Sequence, residues 1–491
     1  MPKLTIRQGA SVREVSFEGS PILGDLLGTD SQHPCGGRGV CGKCAVKVCG
    51  SVSEPNGAEK KAGTRLSCQV VLLGDAEVIL PDSQIMEQIE TSGGNQLTAA
   101  APMEGRLGAA VDIGTTTMAL RLYDLKTGEQ IGDSAMLNPQ TSIAADVMGR
   151  IGAALNGSLE TLQQQVQTAI RTLIDQACTK AGTVSNEVDA LVITGNTTML
   201  YLLTGHSPET LSHAPFEADC LFGTVETLLD RTCCLPPCMN AFVGADITCA
   251  LLESNQCECD EISLLCDIGT NGEIALWKNG ELFVTSTAAG PAFEGAGISC
   301  GCSSIRGAID RVRIEDNQLC IHTIGEENAV GVCGSGLIDA IAASLTLGLI
   351  DETGAMDDDE IELAPSIALQ PKDVRAVQLA KAAIAAGIET LLETAGVSPE
   401  DISTLYIAGG FGNHLDVSSA ARIGLIPEAL APKVKAIGNA SLAGASRLLL
   451  DQNTMRAALE IAAKSQHVNL GGNPKFNEHY IDQMLFPEED Y

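Results

Sequence analysis

Four cysteines are spaced to hold metal. Cys35, Cys41 and Cys44 lie in one glycine-rich stretch, Cys35-Gly36-Gly37-Arg38-Gly39-Val40-Cys41-Gly42-Lys43-Cys44, a C-x5-C-x2-C pattern, and Cys68 follows in Arg65-Leu66-Ser67-Cys68. A [2Fe–2S] cluster needs four thiolates converging on two irons. Three can come from one tight loop and the fourth from a distant strand. Glycines between the ligands relieve crowding and let backbone N–H groups point at the sulfurs, which favours the reduced, more negative state. Structural zinc is the competing use of such thiols, but it would more often show two C-x2-C pairs. The same loop nearly spells a phosphate-binding motif, Gly37-x4-Gly42-Lys43, yet position 44 is Cys where magnesium needs Ser or Thr. Its lysine also sits between two expected iron ligands, so that use is rejected.

A second chemistry is carried by a repeat. Asp112-Ile113-Gly114-Thr115-Thr116-Thr117 returns 155 residues later as Asp267-Ile268-Gly269-Thr270-Asn271-Gly272. A glycine in a strand-to-strand turn lets backbone approach a phosphate, and threonine hydroxyls add donors. An aspartate at the strand end can hold Mg²⁺, directly or through water, or orient an attacking water. Two such loops facing each other would clamp a triphosphate. A third segment, Tyr406-Ile407-Ala408-Gly409-Gly410-Phe411-Gly412, reads as a strand and a glycine-rich turn that could hold adenosine by close backbone approach. Thr194-Gly195-Asn196-Thr197-Thr198 and Gly290-Pro291-Ala292-Phe293-Glu294-Gly295-Ala296 are further glycine turns, at least as readily structural as functional.

These residues need scaffolds of two kinds. Residues 1–82 alternate short apolar runs with turn residues, as in Leu4-Thr5-Ile6 and Glu77-Val78-Ile79-Leu80, the pattern of a small β-rich domain. A polar stretch over 83–106 reads as a linker. Each repeated loop reads as strand, tight turn, strand, turn, strand. Helical stretches follow at Leu159 to Ala181, Gly336 to Ile350 and Val374 to Ala395. The expectation is an ATPase domain over 107–470, with two similar α/β lobes at about 107–260 and 261–465, and a C-terminal tail over 471–491.

Bulk properties narrow the partners. The formal net charge is −32 over 491 residues, yet residues 1–90 hold 9 basic and 11 acidic groups, so nearly all of the excess lies beyond them. An acidic surface repels nucleic acid and anionic membrane and permits docking on a basic protein patch. No signal sequence and no apolar run of membrane-spanning length is visible, so a cytoplasmic chain is expected. Eighteen cysteines in such a chain do not suggest disulfides. Cys233, Cys234, Cys238, Cys257, Cys259, Cys300 and Cys302 lack the C-x2-C-x2-C run of a [4Fe–4S] site and are expected to pack as small hydrophobes.

The N-terminal segment resembles [2Fe–2S] ferredoxin domains of the vertebrate and bacterial class, which implies a β-grasp-like fold with Cys35, Cys41, Cys44 and Cys68 as ligands. Residues 107 to about 465 resemble the sugar-kinase, heat-shock-ATPase and actin superfamily, which implies a ribonuclease-H-like, actin-like ATPase. By that resemblance Asp112 and Asp267 are catalytic. Gly114, Thr115, Thr116 and Thr117 form the first phosphate loop, Gly269, Thr270, Asn271 and Gly272 the second, and Gly409, Gly410 and Gly412 the adenosine loop. The whole arrangement is similar to the reductive activators of corrinoid proteins, with matches at 112–117, 267–273, 290–296 and 408–412. That family implies ATP-dependent delivery of an electron through a [2Fe–2S] cluster, returning inactive Co(II) to Co(I) on a partner corrinoid protein of a methyltransferase system. It also implies an upstream donor such as a ferredoxin, flavodoxin or reductase, and admits a homodimer. No histidine has aspartate two residues before it, so a D-x-H-x-x-G cobalamin motif is absent and the corrinoid belongs on the partner. The alternatives are a redox-sensing, ATP-gated regulator without turnover, and a small-molecule kinase carrying a redox domain.

Overall fold

The computed structural model describes residues 1–8, 11–27, 39, 44–80, 98–410 and 414–488. At the N-terminus, alternation gives a sheet one apolar face. Leu4 and Ile6 of the strand Lys3–Gln8 are buried while Arg7 faces out. This strand pairs antiparallel with Ser11–Ser16 and parallel with Leu72–Leu80, which pairs antiparallel with Ala45–Val52; Arg65–Leu66 completes five strands. The helix Leu23–Leu27 helps close a core of Leu4, Ile6, Phe17, Leu23, Leu72 and Val78. A hairpin, a helix and a central strand parallel to the first make the expected β-grasp arrangement.

The body beyond it holds two six-stranded sheets, and five consecutive strands of each match one for one. In the first, Arg231–Leu235, Val188–Gly195 and Leu107–Ile113 run parallel, and Thr117–Asp124 and Gln130–Leu137 follow antiparallel. In the second, Val434–Gly438, Thr404–Ala408 and Ser263–Ile268 run parallel, followed antiparallel by Gly272–Lys278 and Glu281–Thr287. Parallel strands buried on both faces read as near-continuous apolar runs. In Leu107–Ile113 and Ser263–Ile268, the one residue of each that is not fully buried is Asp112 and Asp267 respectively.

Helices cover the sheets. Leu159–Ala181 buries Leu162, Val166, Ile170, Leu173 and Ile174, a stripe at helical spacing, against the first sheet; Pro371–Ala395 takes the equivalent place on the second. Each such buried Leu or Ile contributes roughly 1.5–3 kcal/mol. Ala245–Ser254 and Ala440–Leu450 pack on each other between the sheets, in a core that also draws Ala110 and Val192 from one lobe and Leu265 and Ala275 from the other.

Two segments depart from expectation. Residues 98–106, read as linker, lie against the ATPase body: Ala101 N and Met103 N donate to Leu450 O and Leu449 O, Arg106 N donates to Asp189 Oδ2 at 2.6 Å, and Met103 is buried. An apolar side chain and paired backbone, embedded in polar sequence, tie this stretch down. Residues 471–488, read as tail, include the helix Pro474–Asp482, which packs on Pro371–Ala395. Beyond it, buried Lys381 donates to Leu485 O at 2.5 Å and lies 5.6 Å from the Phe486 ring centroid. The rest of the proposed linker, 83–97, lies outside the described residues. No helix among the described residues is long and apolar enough to cross a membrane.

Candidate functional site

Two of the four predicted cluster ligands are described, and they stand together. Cys44 Sγ and Cys68 Sγ are 3.2 Å apart, with both thiols buried. Cys35 and Cys41 lie outside the described residues. The strand leading to Cys68 is fixed by a buried carboxylate. Glu59 closes a capping box with Asn56 at the start of Gly57–Ala62, and its Oε1 accepts from Arg65 Nε at 2.8 Å and Leu66 N at 3.1 Å. Burial alone would raise the Glu59 pKa, but Arg65 and these N–H donors outweigh it and hold it low. Burial pushes the Cys44 thiol up to about 11. A buried thiol pair of this kind ionises only beside compensating positive charge, such as iron. Gln69, which the spacing of cysteines does not reveal, donates from Nε2 to Cys68 Sγ at 3.5 Å and accepts from Asn56 Nδ2 at 2.9 Å.

The second site is a cleft of about 260 Å³ between the lobes. Asp112, Gly114, Thr115, Thr116 and Thr117 line it from one side, and Asp267, Gly269, Thr270 and Asn271 from the other; Gly409 and Gly410 complete the wall. Gly412 lies outside the described residues. Gly272 is not part of the lining: a Cβ there would meet Ile384 at 2.9 Å, so this position faces the helix beneath the sheet. At Gly409, φ is +91° and a Cβ would sit 2.6 Å from Asp267 Oδ1, so only glycine brings this turn against the aspartate.

The first loop is braced from behind. Asn138 Nδ2 donates to Gly114 O at 2.9 Å, Arg150 Nη2 to Thr115 O at 2.5 Å, and Asn138 N to Thr116 O at 2.9 Å. Three successive carbonyls are thereby turned onto the protein. Burial lowers the Arg150 pKa to about 10, leaving it charged at neutral pH. Asn196, from the turn left undecided in the sequence, donates to Thr115 Oγ1 at 3.3 Å and also lines the cleft.

Negative charge is concentrated here. Asp112 accepts from Asn439 Nδ2 at 3.1 Å and Ser441 Oγ at 3.2 Å, yet burial raises it to about 6. Burial, then the charge of Asp112, raises Asp267 to about 7. Asp246 and Glu273 are raised as well, by burial first and then by neighbouring carboxylates, Asp112 and Asp267 for one, Asp246 and Asp267 for the other. Four carboxylates that are crowded into one cleft and repel one another are stabilised by a cation. Among the described residues no three His, Cys, Asp or Glu are arranged as a metal site by themselves. Asp246 escaped the motif reading, and Glu273, the last residue of the matched segment 267–273, was given no role in it. The signal each left is an acid near the start of a largely apolar element, Ala245–Ser254 and Gly272–Lys278.

Of the seven other cysteines expected to pack as small hydrophobes, three are buried, Cys257, Cys300 and Cys302 are half-buried, and Cys259 is exposed on the turn after Gln256. Cys233, Cys234 and Cys238 are buried in lobe cores, and burial pushes Cys234 and Cys238 up to about 12.

The comparisons with known proteins divide the chain in the same way. Residues 10–73 match the 2Fe-2S iron-sulfur cluster binding domain, 107–257 the RACo middle region, and 261–491 the C-terminal domain of RACo, the ASKHA domain. The corrinoid activation enzyme RamQ of Eubacterium limosum is 34% identical over 77% of this chain and 70% of its own. The [Co(II) methylated amine-specific corrinoid protein] reductase of Methanosarcina barkeri is 28% identical over 77% of each chain. A solved structure, the reductive activator for corrinoid,iron-sulfur protein, superposes with a TM-score of 0.73 at 26% identity, covering 100% of this chain and 99% of that one. With a ferredoxin domain that places two thiols together and a two-lobed cleft built on a repeated Asp-Ile-Gly-Thr loop, this chain belongs to the family of reductive activators of corrinoid proteins.

Proposed function

We propose that this chain uses ATP to drive one electron onto a corrinoid protein, converting inactive Co(II) to the methyl-accepting Co(I). The observation that carries the proposal is the pairing, in one chain, of adjacent buried thiols Cys44 and Cys68 with a cleft between two matched phosphate loops. Cys35, Cys41, Cys44 and Cys68 would hold a [2Fe–2S] cluster, which when bound supplies a one-electron carrier. Gln69 orients toward its sulfur and Glu59 fixes the strand beneath.

In the cleft, Gly114, Thr115, Thr116 and Thr117 face Gly269, Thr270 and Asn271 across the space for a triphosphate, and Gly409, Gly410 and Gly412 would take the adenosine. Asp112 and Asp267, with Asp246 and Glu273, supply the charge for Mg²⁺. Closure of the lobes on ATP would change how the partner is held, which is where hydrolysis couples to an unfavourable reduction. The division we favour is a redox domain over 1–82, a connection over 83–106 whose last part is docked, and an ATPase domain from 107. An upstream ferredoxin, flavodoxin or reductase would refill the redox domain. A cytoplasmic setting suits this use.

The test is to separate the two sites. Purified without oxygen, the full chain should hold about two irons and bind ATP with Mg²⁺ by calorimetry. Serine at Cys35, Cys41, Cys44 or Cys68 should lose or distort the iron centre and leave ATP binding unchanged. Zinc in place of iron, or no nucleotide binding with or without the partner, would refute the reading.

A further inference from the structure

Glu294 lies in the cleft and is set apart from its other carboxylates. It ends the short turn Ala292–Glu294 in the glycine segment that the sequence left undecided. Its two oxygens accept from Thr270 Oγ1 at 2.8 and 2.8 Å, and Oε2 also accepts from Thr116 Oγ1 at 3.0 Å. One carboxylate thus joins a hydroxyl of each phosphate loop across the cleft. Its backbone is held as firmly. Gly290 N donates to Thr270 O at 2.9 Å. Gly295 has φ +75°, and a Cβ there would lie 2.4 Å from Cys302 O. The turn that aims Glu294 is thereby bonded to the second loop and packed against Cys302.

Charge divides the cleft in two. Asp246, Asp267 and Glu273 are each raised in part by another member of the acidic group that includes Asp112. At Glu294 the leading influences are instead burial, the Thr270 and Thr116 hydroxyls and the charge of Arg150. The four belong together as the cation-facing set, and Glu294 stands outside it, between the hydroxyls.

From this geometry we infer that Glu294 is the general base for ATP hydrolysis, and that it holds the donors which the terminal phosphate takes. This rests on the nucleotide reading above. Phosphate oxygens accept the Thr116 and Thr270 hydroxyls and release the Glu294 carboxylate to face an incoming water. The water oxygen then bonds to the terminal phosphorus as the bridging P–O bond breaks. A water proton passes to Glu294, and ADP leaves with the bridging oxygen. Burial raises the Glu294 pKa, against the pull of Thr270, Thr116 and Arg150, which brings a carboxylate nearer the working range of a base. The ionisable groups facing it are Arg150 from the first lobe, the four carboxylates already described, and His414, Cys302 and Cys333 on the cleft wall.

The experiment compares the full-length wild type, Glu294→Gln and Glu294→Asp by ATP calorimetry and steady-state hydrolysis across pH, with iron content as the control for folding. Glu294→Gln should lower kcat by roughly 10²-fold or more while ATP affinity holds or tightens, because the amide competes less well for the two hydroxyls. Glu294→Asp should recover part of kcat. In the wild type, kcat should fall as pH drops through a value above the ordinary glutamate range, and this limb should be missing in Glu294→Gln. A Glu294→Gln kcat within threefold of wild type, or parallel loss of binding and turnover, would overturn the assignment. So would a wild-type profile without an acid limb, a measurement that needs no variant. If the wild type binds no ATP, the nucleotide reading falls with it; if it binds and hydrolyses ATP but the variant is unaffected, only the role of Glu294 falls.

Discussion

The two phosphate loops share the residues Asp-Ile-Gly-Thr and nearly the same strand order, yet they are held in opposite ways. The first is braced from behind by Asn138 and Arg150, and its Asp112 is anchored by Asn439 and Ser441. The second is held from the front, with Thr270 bonded to Glu294 and Gly290 closing onto the Thr270 carbonyl. Asp267 has no comparable pair of donors among its pKa-shifting contacts and is raised further, to about 7 against about 6. Duplication supplied one strand-turn-strand unit twice. The surroundings brace the first loop from behind and bond the Thr270 hydroxyl of the second to Glu294.

The largest effect that could break this contrast is loss of either aspartate. Asp112→Ala and Asp267→Ala should each lower ATP hydrolysis to below about 1% of wild type without changing iron content, measured by phosphate release and iron assay. A variant that retained full turnover would show that its loop is not part of the clamp.

Arg150→Met should come next. It removes the donor to the Thr115 carbonyl, a loss of about 1–3 kcal/mol for a buried group left unsatisfied. ATP binding should weaken by about tenfold or more, as read by calorimetry. No change would mean the first loop holds its shape without bracing.

A smaller effect sharpens the charge argument. Asp112 and Asp267 have folded pKa values raised above those of unfolded aspartate. Between the two ranges the folded chain binds more protons than the unfolded one, so stability falls as pH rises. Thermal unfolding without nucleotide should therefore occur at lower temperature at pH 8 than at pH 6, and Mg²⁺ with ATP should remove most of that slope. Equal slopes with and without the ligand would argue against cation binding at these carboxylates.

The smallest expected effect lies in the redox domain. Gln69→Leu removes an N–H donor from Cys68 Sγ. The reduced state should lose more than the oxidised one, moving the midpoint potential in the negative direction with unchanged iron content. An unchanged potential would leave Gln69 a purely structural partner of Asn56.

Much of the scaffold was legible because it is periodic. Asp112 and Asp267 interrupt apolar strands at their ends, and glycine-threonine turns follow, so motif and fold point to the same place. The helix predicted at Leu159 to Ala181 has those bounds in the structure. The residues that complete the cleft were hidden for a physical reason. Asp246, Asn439 and Ser441 lie at the starts of helices distant in sequence, and only lobe packing brings them to Asp112. Glu294 was inside a recognised segment, but nothing in seven residues says that two threonines converge on it. The docked stretch 98–106 and the helix Pro474–Asp482 were missed because polar composition hides the few apolar contacts, Met103 and Phe486, that hold them down.

The most direct measurement follows the cobalt of a cognate corrinoid protein by optical absorbance, without oxygen, with a reductant and the full-length chain. Conversion of Co(II) to Co(I) should require ATP, and should be lost in both Cys44→Ser and Asp267→Ala, although the first still binds ATP and the second still holds iron. Equal conversion without ATP, or undiminished conversion by either variant, would contradict the coupling of the two sites.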